Sequence, residues 1–378
     1  MIVPEGTFGM DDSHQWMRIM NQALSYFAGQ KVKGNGVKKL ILSPLPIATN
    51  FKKAHSARSI LKRNYTYIDV GGRVANVSLG LTLSAYLAFG LILSLLIYAF
   101  VGDFTPQIKE HVVRDIYGVD VVLKTEYAGF IMSMLMMFLP LIFMLMICLS
   151  SIIREMKLAK RSTAFRFHRQ RREVAMCQWD EDLQKVVVTY QPWEAMFAWV
   201  EDKNARLATA APAKSVLVIG GTRESMVGSQ WVCQTIPALD KESAVMEWEA
   251  IRSFMEDGVR EDSELTDHPP KMTMQRVMED YCLTSKQPMT IFTQKKRLWW
   301  AISGRRLGVL LYNFMMRFER QQDVVDPTFE AWSLPLSDCD SQQPSAALKK
   351  YNMWLKRNEY AKGLNIQTIG DVKDKYSL

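Results

Sequence analysis

The chain has 378 residues, 48% of them hydrophobic, and a formal net charge of +8. So apolar a composition excludes a disordered chain, and five cysteines with no C-x-x-C pair exclude a disulfide scaffold and a zinc ribbon. The net charge alone would suggest a nucleic-acid binder, so where it lies along the chain decides what it means.

Residues 1–73 carry 11 basic and four acidic side chains, a surplus of +7. HQWMRIMNQALSYF, residues 14–27, has helical apolar spacing and reads either as a short amphipathic helix or as part of a loosely ordered basic arm. Gly34, Gly36, Pro44 and Pro46 then punctuate a loop.

No charged residue lies between Arg73 and Asp103, and none between Glu126 and Arg154. A helix needs about 20 apolar residues to cross a ~30 Å hydrocarbon core. Both windows exceed that. They predict a two-helix anchor over residues 74–153, with spans at about 77–101 and 128–152, rather than a pair of buried core helices. Pro140, inside the second, predicts a kink. The connector, residues 102–126, has three basic and five acidic residues, whereas residues 154–172 have eight basic and one acidic. Lys and Arg beside spans mark the cytoplasmic side. Both termini are therefore expected in the cytoplasm and the connector outside. No short apolar stretch follows a charged start in the first 50 residues, so the first span is expected to act as an uncleaved anchor. The remaining residues, 173–378, sum to −4. The basic character is thus a topology signal beside a lipid bilayer, and nucleic acid is not an expected partner.

From Phe165 the pattern alternates, with bulky residues at Phe165, Phe167, Val174, Met176 and Trp179. Asp180, Glu181 and Asp182 read as a solvated turn, and KVVVTY, residues 185–190, as a strand. Pro192 breaks it. Trp193, Ala195, Phe197 and Trp199 then fall at period two and predict another strand. SVLVI, residues 215–219, is a strand that Gly220 and Gly221 should end, and WVCQTI, residues 231–236, is one more. KESAVMEWEAIRSFMEDG has helical spacing at Val245, Trp248, Ile251 and Met255, with Gly258 as its stop. Strands in hairpins closed by one helix make residues 165–258 a compact α+β domain. The order resembles a pleckstrin-homology-like barrel.

Residues 259–271 read as a charged linker, and residues 272–378 as a helical C-terminal region. Residues 295–322 are strongly helical but interrupted at Gly304, Arg305 and Arg306, too soon for a span. They suit a core helix, or an interfacial one with a Trp pair and basic flanks. Residues 323–343 look loop-like, and residues 346–362 helical.

Chemistry is harder to find. VLVIGGTRES, residues 216–225, lacks the third close-approach glycine of a dinucleotide fingerprint and the helix that must follow it, so it reads as a hairpin turn. His168, Cys177, Cys233 and Cys282 have no metal-ligand spacing. No metal, cofactor or catalytic residue is expected, and no enzyme. Arg166, Arg169, Arg171 and Arg172 form a basic cluster. It suits contact with anionic lipid or a protein partner, or serves only as the positive-inside determinant.

FRFHRQRREV followed by QPWEAMFAWVE resembles an uncharacterised proteobacterial membrane-protein family. Its members pair a two-helix N-terminal anchor with a domain opening F-x-R-x-R-x-x-V and carrying a PW-E strand. The match rests on Phe167, Arg169, Arg171, Arg172, Val174, Pro192, Trp193 and Glu194. It covers about a quarter of the chain, or half with the anchor. Genes of that family are often found near type VI secretion clusters, and it offers no catalytic residues to carry over. The resemblance implies a bacterial inner-membrane immunity or accessory protein, whose partner is a secreted toxin or a secretion-machine component. The other reading is a structural subunit or assembly factor of a secretion or conjugation apparatus.

Overall fold

The structure, a computed structural model, describes residues 26–34, 37–51, 59–71, 78–104, 111–114, 120–123, 127–161, 164–180, 183–207, 209–225, 228–266, 271–319, 327–372 and 375. In chain order the strands are β1 (Lys31–Gly34), β2 (Val37–Ser43), β3 (Ile60–Arg63), β4 (Tyr67–Val70), β5 (His111–Arg114), β6 (Asp120–Leu123), β7 (Phe165–His168), β8 (Glu173–Asp180), β9 (Lys185–Pro192), β10 (Phe197–Arg206), β11 (Pro212–Ser225) and β12 (Gly228–Ala238). The helices used below are α1 (Ser78–Phe104), α2 (Tyr127–Arg161), α3 (Lys241–Asp257), α4 (Met274–Ser285), α5 (Gln294–Trp300), α6 (Arg306–Glu319), α7 (Pro327–Trp332), α8 (Ala346–Asn358) and α9 (Ile366–Ile369). The described residues fall into two compact units. One draws on residues 1–76, 159–291 and 313–378, the other on 77–158 and 292–312.

In the first unit, β1-β2-β10-β11-β12 form one sheet and β3-β4-β7-β8-β9 a second, with every pairing antiparallel. The chain is mixed α+β. α3 packs on β10, β11 and β12. It stops where expected, with Gly258 ending it at φ +81°, and the Asp240 carboxylate caps its start by accepting from the Ser243 N–H at 2.8 Å. Trp248 from α3 meets Trp193 at 5.2 Å, and Phe167 from β7 meets Trp193 edge-on at 5.7 Å. These rings are buried together with Leu40, Ile68, Val174 and Leu217.

Residues 31–70 do not stand apart from this core. β2 pairs with β10, matching Ile41 to Trp199, and β4 pairs with β7. Leu40 and Leu42 enter the main core, while Ile41 packs on the other face with Phe197 and Trp199. Two buried carboxylates of α3 fasten the same region. Glu249 accepts from Thr49 Oγ1 at 2.7 Å and is ion-paired to Arg252, and Glu247 accepts from Ser59 Oγ at 2.7 Å. The C-terminal segment joins too, because Leu348, Leu355, Ile366 and Ile369 of α8 and α9 are buried in the same cluster.

Two local expectations change. Gly220 and Gly221 lie inside β11, which continues to Ser225, so residues 216–225 are not a turn. A Cβ on Gly220 would stand 2.5 Å from the Val232 carbonyl oxygen of β12. The glycine therefore marks a close backbone approach rather than a chain reversal. The strand expected from Trp193 begins at Phe197, and Trp193–Ala195 is a 3₁₀ turn. Most of the helix expected over residues 14–27 lies outside the described residues, as do Glu181 and Asp182.

In the second unit, α1 and α2 are long and apolar enough to span a membrane, through Leu79–Ile97 and Phe138–Lys157. Only 22% and 6% of these windows are buried in the protein, which is not how core helices pack. α1 and α2 lie side by side and antiparallel, with Met144 against Gly90 and the Cys148 thiol donating to the Leu83 carbonyl at 3.9 Å. Pro140 sits within α2. In the connector, β5 and β6 pair as an antiparallel hairpin.

Candidate functional site

The basic cluster lies on β7 and on the turn that joins it to β8. Alternation along β7 sends Phe165 and Phe167 into the core and turns Arg166 away from it. Arg166 stands opposite Asp69 in the β4–β7 register. Its guanidinium grips that carboxylate through two bonds, 2.7 and 2.8 Å long, and donates a third to Ser333 Oγ at 2.9 Å. It also stacks on Tyr67 and Phe329, at 4.0 and 4.7 Å from the ring centres.

Arg172 is more deeply committed. It adopts φ +50° where the turn closes. Its guanidinium reaches Glu256 at the end of α3 at 2.8 Å and Glu194 at 3.1 Å. Trp193 Nε1 donates to the same Glu256 carboxylate at 3.1 Å, and the Trp193 backbone N–H donates to the Arg172 carbonyl at 2.8 Å. The Ser345 N–H, just ahead of α8, donates to Glu194 at 3.0 Å. Phe167, Val174 and Trp193 are buried around this pair of ion contacts, and Pro192 ends β9 opposite Glu173. The residues quoted for the family resemblance thus converge on one place.

Within residues 323–343, expected from sequence to be a loop, Pro327–Trp332 form α7, and residues 332–342 clasp the same turn. Arg171 Nε donates to the Trp332 carbonyl at 2.9 Å. The Gln170 side chain forms two bonds with the backbone of Leu336, at 3.1 and 2.8 Å, and Trp332 Nε1 donates to Glu173 at 2.9 Å. The Arg169 N–H bonds the Thr66 carbonyl at 2.9 Å, and its guanidinium lies beside Gly258. A shallow open depression beside the clasp is lined by Lys62, Thr66, Tyr67, Arg166, Phe329 and Ser333. Asp69, Glu256 and the clasp carbonyls were missed from sequence because each partner is distant in the chain. The local signals were Phe329 and Trp332, two large aromatics three apart in a proline-rich stretch.

His168 is fully buried between these elements. Its Nδ1 accepts from the Arg171 N–H at 3.3 Å, so the other nitrogen, Nε2, carries the proton and donates to the Leu334 carbonyl at 3.1 Å. Burial pushes its pKa below the ordinary 6.5, and the positive charge of Arg171 pushes the same way against the Leu334 carbonyl and Glu173. The unfolded chain therefore takes up this proton before the folded one. The stability that His168 contributes is complete above pH ~6.5 and lost as pH falls towards the depressed folded value. Acidification from pH 7.5 to 5.5 is expected to lower the urea midpoint of the wild type more than that of His168→Gln. Parallel pH profiles would contradict this assignment.

Arg166, Arg171 and Arg172 are taken up by internal carboxylates and carbonyls. Burial pushes the Cys177 thiol up to about 12, so it rests protonated. Among the described residues no group of three His, Cys, Asp or Glu side chains is placed to hold a metal ion. No protein-family model matches the chain, and neither a curated protein nor a solved structure does.

Proposed function

We propose that the chain is a non-enzymatic, two-span membrane protein that displays a folded interaction domain on one side of the bilayer. The observation that carries this reading is the β4–β7 pairing. The chain leaves the sheet at Val70, runs through both apolar helices, and returns at Phe165 as the registered partner of Val70. Two strands of one sheet must share a side of the membrane. The segment between them then crosses an even number of times, which two spans satisfy. Lys and Arg next to the spans favour the cytoplasm for that side and the exterior for the connector. Within residues 165–258, the antiparallel strands β7–β12 followed by α3 support the pleckstrin-homology-like reading, to which β1–β4 add further strands. Engagement of the arginines by the clasp favours a scaffold role for them over a free anion-binding patch.

The resemblance extends this to a bacterial inner-membrane immunity or accessory protein that binds a type VI secretion effector. Alkaline phosphatase fused after Lys124 is expected to be active, and a fusion after Gly258 inactive; the reverse pattern would overturn the orientation. A deletion strain exposed to toxin-delivering siblings is expected to die. Survival equal to wild type would remove the immunity reading, and co-purification with a secretion machine would replace it with assembly.

A further inference from the structure

Residues 292–312 belong to the same compact unit as the two apolar helices. α5 and the start of α6 are joined through Ala301–Arg305, where Gly304 takes φ +90° and bends the path. The segment meets α1 by backbone approach. A Cβ on Gly304 would stand 2.6 Å from the Gly80 carbonyl oxygen and collide with Ser84, and one on Gly80 would collide with the backbone of Gly308. Gly304 and Gly308 are four apart, as are Gly80 and Ser84. Gly80 and Ser84 thus form a small-x-x-x-small face on α1 that meets Gly304 and Gly308 of the bent segment, a packing that lets backbones touch where no hydrophobic drive exists between helices in lipid. Phe292, itself buried, packs edge-on against the buried Trp300 at 4.6 Å at the start of the segment.

The outer face is unlike a soluble surface. Leu298, Trp299, Ile302 and Leu310 are between 62% and 67% exposed. They share a unit with α1 and α2, whose own apolar side chains, among them Leu96, Leu139 and Phe143, are as widely exposed. Lys295, Arg297 and Arg306 are exposed on the same segment, and Arg305 stacks over Trp300 at 4.1 Å. Gly80 and Ser84 lie at the start of the first candidate span, Leu79–Ile97, where headgroups would meet acyl chains. We infer that residues 294–312 form a third membrane-contacting element. It lies half-inserted beside the N-terminal end of the first span, with acyl chains on Leu298, Trp299, Ile302 and Leu310 and phosphate headgroups on its Lys and Arg. The inference rests on the reading that α1 and α2 cross a bilayer, and it adds a non-spanning segment from far along the chain.

The test reconstitutes the full chain in vesicles of phosphatidylcholine and phosphatidylglycerol that contain a phosphatidylcholine with a diazirine in its acyl chain. After irradiation, mass spectrometry maps the lipid adducts. Adducts on both residues 79–97 and residues 298–310 are expected. Adducts on 79–97 alone would overturn the inference and leave the spans standing; adducts on neither would remove the spans as well. In a Trp299→Glu, Ile302→Glu double variant, adducts on 298–310 are expected to fall about tenfold while those on 79–97 persist, because a carboxylate is disfavoured among acyl chains. Unchanged labelling of 298–310 in that variant would also overturn the inference.

Discussion

Truncating Arg172 to alanine is expected to lower the unfolding free energy by about 3–5 kcal/mol, the range for removing one partner of a buried ion pair. The Arg172 side chain is 6% exposed, and those of its partners Glu194 and Glu256 are 21% and 12% exposed. Without the guanidinium, two carboxylates are left facing each other across a mostly dry space. Among the described residues, the Trp193 indole N–H and the Ser345 backbone N–H remain as donors to them. Three chain segments lose their common tie at once: the β7–β8 turn, the Trp193–Ala195 turn and the end of α3. Arg172→Lys is expected to recover only part of the loss, because an ammonium is a point charge and cannot fork across two carboxylates. Arg172→Met combined with Glu256→Met is expected to be milder than Arg172→Met alone, since no stranded charge remains at Glu256 while Glu194 keeps the Ser345 N–H. Urea unfolding of the full chain in detergent, followed by tryptophan fluorescence, reads these differences. A loss below about 1 kcal/mol for Arg172→Ala would place the cluster among solvent-screened surface pairs.

What sequence could reveal divides along the same lines. The two apolar helices, the strands after Phe165 and the end of α3 were legible because each is signalled within its own window, by uninterrupted apolarity, period-two alternation or a cap. β2 was not. Leu40 and Leu42 face one cluster and Ile41 another, so the strand is buried on both faces and shows a short apolar run rather than alternation. Its place depends on β10, far along the chain. The arginine cluster shows the same limit. Its composition was visible, but the Asp69, Glu194 and Glu256 carboxylates that turn it from an open basic patch into an internal brace are brought to it only by β-pairing and by the packing of α3. Residues 323–343 read as a loop from sequence; in their described part Trp332, Leu334 and Leu336 hold the turn through backbone carbonyls, which leaves no pattern in side-chain type.

Gly304→Val is expected to destabilise the chain by about 3 kcal/mol or more, combining the ~1–3 kcal/mol strain of a non-glycine residue at positive φ with overpacking against α1. Neither part can relax cheaply. The atoms a new side chain would meet include the Gly80 carbonyl oxygen, which belongs to helix backbone, and Gly304 itself sits at φ +90°. Gly80→Val should come close behind, for its Cβ would fall on the backbone of Gly308. Gly90 supplies the contrast, since the nearest atoms to its Cβ, at 2.9 and 3.0 Å, belong to the unbranched Met144 side chain. Met144 Cγ can rotate away, but Cβ is fixed to its backbone and must shift slightly with the helix; with no positive φ to add strain, Gly90→Ala is expected to cost about 1–2 kcal/mol, less than Gly304→Val. Thermal unfolding of the three variants in one detergent ranks them. If Gly304→Val is as stable as Gly90→Ala, the close approach of residues 304–308 to α1 does not exist, and the placement of residues 294–312 against the first span fails with it. If the ranking holds, the glycines explain why a segment so distant in sequence returns to the apolar helices: backbone contact through small residues supplies an attraction that greasy side chains, equally content with lipid, do not.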